Sequence, residues 1–357
     1  MLPAARLPAA PDDPPRARLE PPPPRHAGRL PRRRLDLPVD PAEGPHLQPD
    51  GERRPRRDAA REAARVSTRA VFLTGASGLV GRALSAHFAA RGWEVRALVR
   101  DPAAFGPPPA GVRVGRCDLP DTLDEALLAG ADAVVHAAYA TRERDRERAR
   151  RVNEDGTRRL LEASRRAGVP RFVFVSTVAA HPEAPNYYAR SKYALESLCD
   201  PGRDLVVRPG LVLAREGHGI FHLMRDLARR AHVIPLFDGG RQTLQTIHRD
   251  DLCEAVARAL ERQLTGAVNV AEPAPLSLAA FLRAMVARLG VRCVFLPLPF
   301  APVLAALRAA EALRVPLPVR SESLLAIKGL RRVPVAEDLR RLDLSVRSAE
   351  ESLADVL

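Results

Sequence analysis

The chain of 357 residues has few aromatic side chains and almost no lysine. Aromatic residues make up 4% of it, and with only two lysines, Lys192 and Lys328, arginine carries the formal net charge of +13. Proteins that bind nucleic acid usually combine a clustered basic surface with aromatic side chains on which bases stack. Arginine is instead spread along this whole chain. We therefore interpret the charge as a compositional bias and expect no nucleic-acid partner.

Cysteine is also scarce, and long apolar runs are missing. Four cysteines lie tens of residues apart with no CxxC pair, which argues against a zinc site and a disulfide framework, and we predict no metal site. An ordinary transmembrane helix needs about 18 or more apolar residues in a row, and none are found. The first residues also lack the apolar core of a secretion signal. We therefore expect a cytoplasmic protein without an integral membrane segment.

Proline is concentrated at the start of the chain. The first 66 residues carry 15 of the 34 prolines, together with many arginines. Such a segment buries too little apolar surface to offset its ordering entropy. We predict a disordered extension over residues 1–66; translation that starts near Val66 is the alternative.

Beyond Arg69 the sequence pattern changes to short apolar segments that alternate with segments of helical periodicity. Strands are predicted at 70–73, 94–99, 112–116, 133–136 and 171–175, and helices at 79–90, 123–128 and in a long segment through Arg165. This alternation predicts an α/β fold with a doubly wound parallel sheet over residues 67–210. Residues 211–357 are predicted to form a smaller, mostly helical lobe interleaved with the last sheet strands. Its helices are expected at 220–230, 251–262, 278–289 and 302–313.

A glycine-rich segment, TGASGLVG, follows the first predicted strand and opens the first helix. Gly75 permits a tight turn, Gly78 lets the backbone approach a phosphate, and Gly81 lets helix and strand pack closely. Unpaired N–H groups at the positive end of the helix would then bind the phosphates. We predict that a dinucleotide pyrophosphate is bound by Gly75, Ala76, Ser77, Gly78, Leu79, Val80 and Gly81.

The tip of the second strand indicates which dinucleotide is used. An NAD site usually places a carboxylate there, whereas an arginine at this point pairs with a 2′-phosphate. Val99 takes the acidic position and Arg100 follows it, which favours NADP. Because Asp101 is adjacent, NAD stays open.

The next two strands end in further candidate cofactor residues. Asp118 and Leu119 close the third strand, where a carboxylate can accept a hydrogen bond from the adenine amino group. Ala137 and Ala138 end the fourth strand with small side chains that allow close contact with a cofactor.

Tyr188 and Lys192 lie four positions apart in the segment YARSK. On a helix such residues share a face, which brings the ammonium near the phenol. A free phenol, with a pKa of about 10, transfers protons poorly at neutral pH, and a fixed cation is expected to lower that pKa by stabilising the phenolate. Thr177 follows the fifth strand, and its hydroxyl is expected to point into the cleft at the carboxyl edge of the sheet.

With these residues in place, the chain from about Arg69 to Leu357 resembles the short-chain dehydrogenase/reductase superfamily, in its extended NAD-dependent epimerase/dehydratase branch. The matching segments are TGASGLVG, CDL, HAA, VNEDGT, FVST, YARSK and VRPG. The run WEVRALVRDP is similar to the dihydroflavonol-reductase-like group, which favours NADP. The resemblance implies a Rossmann-type fold.

The resemblance also implies residue roles. Tyr188 would be the catalytic acid-base, Lys192 would hold the nicotinamide ribose and tune Tyr188, and Thr177 would position the substrate oxygen. Pro209 would line the nicotinamide end. Proteins of this superfamily often dimerise through a four-helix interface, so a homodimer is open.

Two differences from the sugar-nucleotide epimerases of that superfamily disfavour a UDP-sugar. The segment RPGLVLAREG lacks their Asn and Tyr-Gly, and Leu244 stands where they usually have an arginine. We expect an NADP-dependent oxidoreductase that reduces a carbonyl, or oxidises a secondary alcohol, of a small-molecule substrate. An NAD-dependent epimerase or dehydratase of (nucleotide-)sugars and a non-catalytic, dinucleotide-sensing regulator or assembly protein are the alternatives.

Overall fold

The structure, a computed structural model, describes residues 69–357 except positions 142, 144, 218, 316 and 318. The disordered extension predicted for residues 1–66 lies outside the described residues.

The strands and helices alternate through the first half of the described chain, as their apolar periodicity predicts. The strands are β1 Ala70–Thr74, β2 Glu94–Val99, β3 Val112–Asp118, β4 Thr122–Leu123, β5 Ala133–His136, β6 Arg171–Val175, β7 Leu205–Pro209, β8 Leu211–Leu213, β9 Val233–Phe237, β10 Thr243–Leu244, β11 Thr246–His248, β12 Gly266–Val270, β13 Leu276–Ser277 and β14 Val294–Leu298. The α-helices are α1 Leu79–Ala90, α2 Arg146–Arg150, α3 Gly156–Arg166, α4 Tyr187–Glu196, α5 Ile220–Ala231, α6 Arg249–Glu261, α7 Leu278–Leu289, α8 Phe300–Ala312, α9 Ser321–Lys328, α10 Ala336–Leu342 and α11 Ala349–Val356.

An eight-stranded sheet organises the fold, in the order β12-β7-β6-β5-β1-β2-β3-β4. Strand β4 pairs antiparallel with β3, and the other neighbours pair in parallel. Because parallel strands end at one edge of a sheet, the residues that follow β1, β2, β3, β5, β6 and β7 lie along the same edge. The predicted parallel α/β architecture is confirmed.

Both faces of this sheet are covered by helices. In β1, Val71 and Leu73 belong to a core cluster that includes Phe88 of α1 and Val256 of α6. Phe72 points to the other face and joins a second cluster, with Leu160 of α3 among its members. Strands that are buried on both faces have nearly continuous apolar sequences. The segments AVFLT of β1 and RFVFV of β6 show this pattern, which is why the sequence predicts strands there.

The residues after Gly210 pack around a third cluster, with Phe221 of α5 and Phe281 of α7 at its centre. The chain returns to the main sheet at β12, next to β7. The four helices predicted in this region are present, with bounds that differ by at most two residues. The division into domains at residue 210 stays a prediction.

Three local features differ from the expected pattern. The helix expected at 123–128 is instead the short strand β4 followed by a 3₁₀ turn over Glu125–Leu128. The single long helix expected through Arg165 is interrupted by a π-helical turn over Arg151–Asp155, between α2 and α3. In addition, β14 pairs with β9 in a small two-stranded sheet where no strand was predicted. Strand β14 contains Pro297, which has no backbone N–H. A strand tolerates proline at a position that donates no hydrogen bond to a neighbouring strand, as at a sheet edge.

Across the described residues, none of the helices combines the length and the apolar composition needed to cross a bilayer.

Candidate functional site

The glycine motif closes the turn between β1 and α1. Gly75 has a φ of +73°, a conformation that favours glycine. A Cβ atom on Gly75 would lie 2.5 Å from the backbone nitrogen of Ala138, and one on Gly81 would lie 2.1 Å from the carbonyl oxygen of Gly75. Both contacts are with backbone atoms that cannot move aside, so these two positions require glycine.

Helix α1 begins directly after Gly78, which is extended and donates its N–H to the Gly75 carbonyl at 2.9 Å. The first turn of the helix carries no acidic residue, so the positive end of its dipole is open to an anion. Ser77, Gly78 and Leu79 are among the residues that line a cleft of about 620 Å³. The other lining residues are Arg82, Ala83, Ala86, His87, Glu216, Gly217, Arg249, Asp250 and Cys253. The cleft therefore borders the glycine turn, and its lining does not include Thr177, Tyr188 or Lys192.

The end of β2 lies beside the glycine turn, since the Ala76 N–H donates to the Leu98 carbonyl at 3.4 Å. The Arg100 side chain is exposed at this point. The Asp101 side chain is exposed as well, and its carboxylate accepts the N–H of Ala103 at 3.0 Å. Both charged side chains of this tip are therefore accessible.

The other predicted cofactor residues lie along the same edge of the sheet. Asp118, half-buried, ends β3, and Leu119 after it is buried against Gly156 at the start of α3. Ala137 donates its N–H to the Thr74 carbonyl at 3.2 Å, which holds the end of β5 against β1. Pro209 ends β7, and its carbonyl accepts the Val178 N–H at 3.0 Å.

Helix α4 brings Tyr188 and Lys192 to the end of β6. The Lys192 side chain is buried, and its Nζ donates a hydrogen bond to the Val175 carbonyl at 2.6 Å. Val175 is the last residue of β6, two positions before Thr177. The same Nζ lies 4.4 Å and 4.5 Å from the ring centroids of Tyr139 and Phe174, within cation–π range. The structure therefore places the three predicted catalytic residues at the junction of α4 and β6.

The pKa of Tyr188 differs from the sequence expectation. Burial raises it to about 12, and a hydrogen bond with the Thr177 side chain opposes that rise. Burial lowers the pKa of Lys192 to about 7, while the Glu196 carboxylate opposes the fall. The expectation of a lowered phenol pKa is wrong for the protein described here, because burial of the phenol outweighs the hydrogen bond that favours its phenolate. Tyr188 is a protonated phenol at neutral pH.

Three further polar residues surround this pair, and the sequence reasoning did not assign them to the site. The hydroxyls of Tyr139 and Ser191 are hydrogen-bonded to each other, and the Tyr139 ring meets that of Tyr188 edge-on at 5.2 Å. Asn153, in the π-helical turn, accepts the Ala140 N–H at 2.7 Å, and its Nδ2 is a buried donor without a partner among the described residues. π-Helical turns are frequent at functional sites. The segment VNEDGT matches the superfamily, but nothing in it marks a π-helical turn.

His136, at the end of β5, is a buried, packed residue. Its Nδ1 lies 2.6 Å from the Thr74 hydroxyl and its Nε2 lies 2.9 Å from the Thr157 hydroxyl. Burial, together with the charge of Lys192, lowers the pKa of His136 to about 3. A neutral imidazole satisfied on both nitrogens is a structural group.

One cluster has the composition of a metal site: His248, Asp250 and Asp355. His248 Nδ1 accepts the Asp250 backbone N–H at 3.2 Å, and His248 Nε2 lies 2.9 Å from the Asp355 carboxylate. The Arg347 guanidinium also contacts His248 Nδ1. Because both ring nitrogens have protein partners and a cation lies against them, the cluster is suited to hydrogen bonding. The prediction that the protein has no metal site stays a prediction.

Three of the four cysteines carry thiols of low reactivity. Burial raises the pKa of the Cys117, Cys199 and Cys253 thiols to about 12, which leaves them protonated at neutral pH. A protonated thiol is a weak nucleophile.

Comparison with known proteins identifies the family. The model of the NAD dependent epimerase/dehydratase family matches residues 71–271, which is more than half of the chain. The chain belongs to the NAD-dependent epimerase/dehydratase family. The family predicted from the sequence motifs is therefore confirmed. Membership of this family supports an enzyme of the oxidoreductase or epimerase type.

Two curated relatives are similar over much of the chain. A ceramide reductase of Caulobacter vibrioides (strain NA1000 / CB15N) is 35% identical over 211 residues, which is 57% of this chain and 64% of that protein. The 4-hydroxy-2-methyl-3-oxo-4-farnesyl-3,4-dihydroquinoline-1-oxide ketoreductase of Stigmatella aurantiaca is 32% identical over 271 residues, which is 68% of this chain and 80% of that protein. Among solved structures, gox2253 has a TM-score of 0.64 at 24% identity and covers 81% of this chain and 97% of its own. That likeness shows the fold.

Proposed function

We propose that the protein is an NADPH-dependent reductase that converts a carbonyl group of a small molecule into an alcohol, with Tyr188 as the proton donor. The observation that carries this proposal is the convergence of Tyr188, Lys192 and Thr177 at the end of β6, beside the edge of the sheet where the glycine turn lies. The bound dinucleotide supplies the hydride in such a reaction.

The protonation state of Tyr188 supports the reductive direction. Reduction of a carbonyl creates an alkoxide oxygen that must receive a proton. A phenol with a pKa of about 12 keeps its proton at neutral pH and can donate it to the more basic alkoxide. Oxidation of an alcohol requires the phenolate instead, which the buried environment of Tyr188 disfavours.

Thr177 and Lys192 complete the set in this proposal. The Thr177 hydroxyl interacts with the Tyr188 phenol and can donate a hydrogen bond to the same substrate oxygen. The Lys192 ammonium, held by Val175, provides the positive charge that stabilises the phenolate left when Tyr188 has given up its proton. Positioning the carbonyl against these groups would contribute more to the rate than the proton transfer itself.

The residues at the amino end of α1 fit the diphosphate of the dinucleotide. Gly78 leaves its backbone accessible, and the helix dipole is not compensated by a carboxylate in the first turn. Arg100 would bind the 2′-phosphate, because its side chain is exposed at the end of β2 and a guanidinium pairs with phosphate. Asp118 and Leu119 would contact the adenine, and Ala137, Ala138 and Pro209 would line the path towards the nicotinamide.

The names of the two relatives are consistent with this reaction, since one is a reductase and the other a ketoreductase. They point to carbonyl reduction rather than to sugar epimerisation, and the sequence differences from the sugar-nucleotide epimerases point the same way. Lipid and prenylated ketones are therefore the first substrates to test.

The proposal is tested by NADPH oxidation with a panel of ketones, including long-chain and prenylated ones. We expect Tyr188→Phe to lower kcat/KM by about 10²- to 10⁴-fold, the usual contribution of a positioned proton donor. The Kd for NADPH should change by less than about threefold, because the phosphates are bound elsewhere. Tyr193→Phe is the matched control: Tyr193 lies on the same helix, is 40% exposed, and should retain full activity.

Undiminished turnover in Tyr188→Phe would remove Tyr188 from the mechanism. Tightly held NAD released on denaturation, together with conversion of a sugar nucleotide and no net NADPH oxidation, would replace the reductase with an epimerase.

A further inference from the structure

Glu196 ends helix α4, four positions after Lys192 and eight after Tyr188. Residues at these spacings lie on one side of a helix, so Glu196 continues the face that carries the two candidate catalytic side chains. Its side chain is only 8% exposed. A carboxylate this far from solvent needs specific partners.

Two neighbouring strands supply those partners. The Ser176 hydroxyl, between Val175 of β6 and Thr177, donates to Glu196 Oε1 at 2.5 Å. The Arg208 guanidinium, on β7 directly before Pro209, donates Nε–H to the same oxygen at 3.0 Å and an Nη2–H to the other oxygen. Such a two-pronged arginine–carboxylate pair fixes orientation as well as distance.

We propose that Glu196 is the positioning residue of this site: through Ser176 and Arg208 its carboxylate locks α4 onto the ends of β6 and β7, so that Tyr188, Lys192 and Thr177 keep one mutual geometry. This inference rests on the proposed function, because it assigns Glu196 a role in the same reaction. Glu196 acts through other residues and is not placed in contact with the substrate.

The contacts explain why one residue has this effect. Ser176 is the backbone neighbour of Thr177, and its own N–H donates to the Val207 carbonyl at 2.7 Å, next to Arg208. The hydrogen bond from Lys192 to Val175 and the hydrogen bond from Ser176 to Glu196 therefore hold α4 at two successive residues of the strand end. A displacement of about 1 Å in such a site can lower the rate by about 10²-fold.

Glu196 also acts on Lys192 through its charge. The groups that face Lys192 or interact with it electrostatically are Glu196, Tyr139 and His136. Those that face Glu196 are Lys192, Ser176, Arg208 and Cys199. Glu196 is the acidic group that raises the pKa of Lys192 against the effect of burial. Loss of its negative charge must therefore shift the titration of Lys192 to lower pH.

Two variants separate the effect of the Ser176–Glu196 hydrogen bond from the effect of the Glu196 charge. Glu196→Gln keeps an acceptor for Ser176 but removes the charge. Ser176→Ala keeps the charge but removes the hydrogen bond. We expect Glu196→Gln to lower kcat by about 10- to 100-fold, with the KM for the ketone and the Kd for NADPH within about threefold of the wild-type values. Ser176→Ala should lower kcat by a smaller factor.

The matched control is Glu254→Gln. Glu254, on α6, is likewise paired with arginines, Arg91 and Arg258, but belongs to no part of the candidate site. This variant should show the stability loss of a broken ion pair, with kcat unchanged.

A second measurement reads the charge effect without any substrate. The chain has two lysines, so protein labelled with ¹³Cε-lysine gives two side-chain signals in a pH titration, and Lys328→Arg assigns them. In wild type the Lys192 signal should titrate near pH 7. Glu196→Gln should move that titration to lower pH, while Ser176→Ala and Glu254→Gln should leave it in place.

The outcomes distinguish this inference from the proposed function. If Tyr188→Phe is inactive but Glu196→Gln has wild-type kcat and an unshifted Lys192 titration, Glu196 has no positioning role. If Glu196→Gln only lowers the melting temperature, as Glu254→Gln does, its role is purely structural. If no ketone is reduced by wild type, the reductase proposal fails, and a shifted lysine titration would still establish the coupling of Glu196 to Lys192.

Discussion

The Nζ atom of Lys192 and the carbonyl oxygen of Val175 lie 2.6 Å apart, which joins the helix that carries Tyr188 to the strand that leads to Thr177. The bond buries a charge-bearing group, and burial lowers the pKa of that group to about 7. A lysine with this pKa changes its charge within the pH range in which an enzyme works. The charge state of Lys192 is therefore the property of the site most open to measurement by pH.

The first prediction concerns the alkaline side of the pH–rate profile. The proposed mechanism needs the ammonium form of Lys192, so kcat/KM should fall as the pH rises through about 7. Unfolding cannot cause this fall: the folded pKa lies below the ordinary value of 10.5, so this group makes the folded state more stable as the pH rises from 7 to 10.5. The measurement is kcat/KM between pH 5.5 and 9.

Lys192→Arg provides the comparison for that profile. Guanidinium stays charged throughout the range, so the fall near pH 7 should vanish, although the bulkier planar group should also lower the rate at every pH. A wild-type rate that increases steadily from pH 7 to 9 would contradict an essential ammonium.

The second prediction compares how strongly an alanine substitution at each glycine of the β1–α1 turn affects stability and NADPH binding. A methyl group on Gly81 would meet the Gly75 carbonyl oxygen at 2.1 Å, whereas one on Gly78 would meet it at 3.2 Å. We expect Gly81→Ala to lower the free energy of unfolding by at least about 3 kcal/mol and to abolish NADPH binding. Gly78→Ala should fold, with a loss of about 1 kcal/mol.

The glycine series is measured by urea unfolding and by NADPH fluorescence titration. Gly202→Ala is the control, because Gly202 is exposed and a methyl group there would meet only an ordinary contact at 3.4 Å. Equal stability of Gly81→Ala and Gly202→Ala would contradict the close packing of α1 on the turn.

These glycines also show what the sequence could predict. The order of strands and helices and the position of the turn follow from apolar periodicity and from glycine spacing, both of which are local. Tyr188 and Lys192 could be placed on one helical face for the same reason. These features agree with the structure because a parallel sheet allows few other arrangements.

The features that were missed depend on which distant segments pack together. Spacing along α4 does not indicate how deeply Tyr188 is buried. The sequence therefore predicts a lowered pKa for Tyr188, whereas burial raises it. The partners of Glu196 come from β6 and β7, 20 and 12 positions away in the chain. The π-helical turn at Asn153 and the pairing of β9 with β14 likewise have no local signature.

The third prediction concerns the choice between NADPH and NADH. If Arg100 binds the 2′-phosphate, Arg100→Ala removes a charge-assisted hydrogen bond worth about 1.5–3 kcal/mol, which corresponds to a rise in the Kd for NADPH of about 10- to 100-fold. The Kd for NADH should be unchanged. Arg113→Ala is the control, because Arg113 lies on neighbouring β3 with its side chain 81% exposed. Equal weakening of both dinucleotides by Arg100→Ala would show that Arg100 does not read the 2′-phosphate.

The fourth prediction concerns acid stability and the buried imidazole of His136. The Thr157 hydroxyl donates to the Asn153 carbonyl at 2.5 Å, so its oxygen accepts from His136 Nε2–H, and Nδ1 accepts from the Thr74 hydroxyl. Only the neutral imidazole makes both hydrogen bonds, because one nitrogen must donate and the other must accept. Protonation would place a charge in this buried site and close to Lys192, and these two effects lower the pKa of His136 to about 3.

The sign of the effect follows from the two pKa values. Between the ordinary value of 6.5 and the folded value of about 3, the unfolded chain binds a proton that the folded chain does not. The free energy of unfolding must therefore fall as the pH is lowered through this range, and at pH 5 this group alone accounts for a loss of about 2 kcal/mol.

His136→Gln removes the titration and keeps a polar side chain. At pH 7.5 this variant should be less stable than wild type by about 1–3 kcal/mol, because buried hydrogen bonds are lost. The difference should narrow as the pH falls to 5, since wild type carries a protonation penalty that the variant lacks. Urea unfolding at pH 7.5, 6 and 5 measures it, with the more exposed His181→Gln expected to show a much smaller change. A difference from wild type that stays constant across these three pH values would mean that His136 binds its proton equally in both states, and the neutral bridge between Thr74 and Thr157 would have to be rejected.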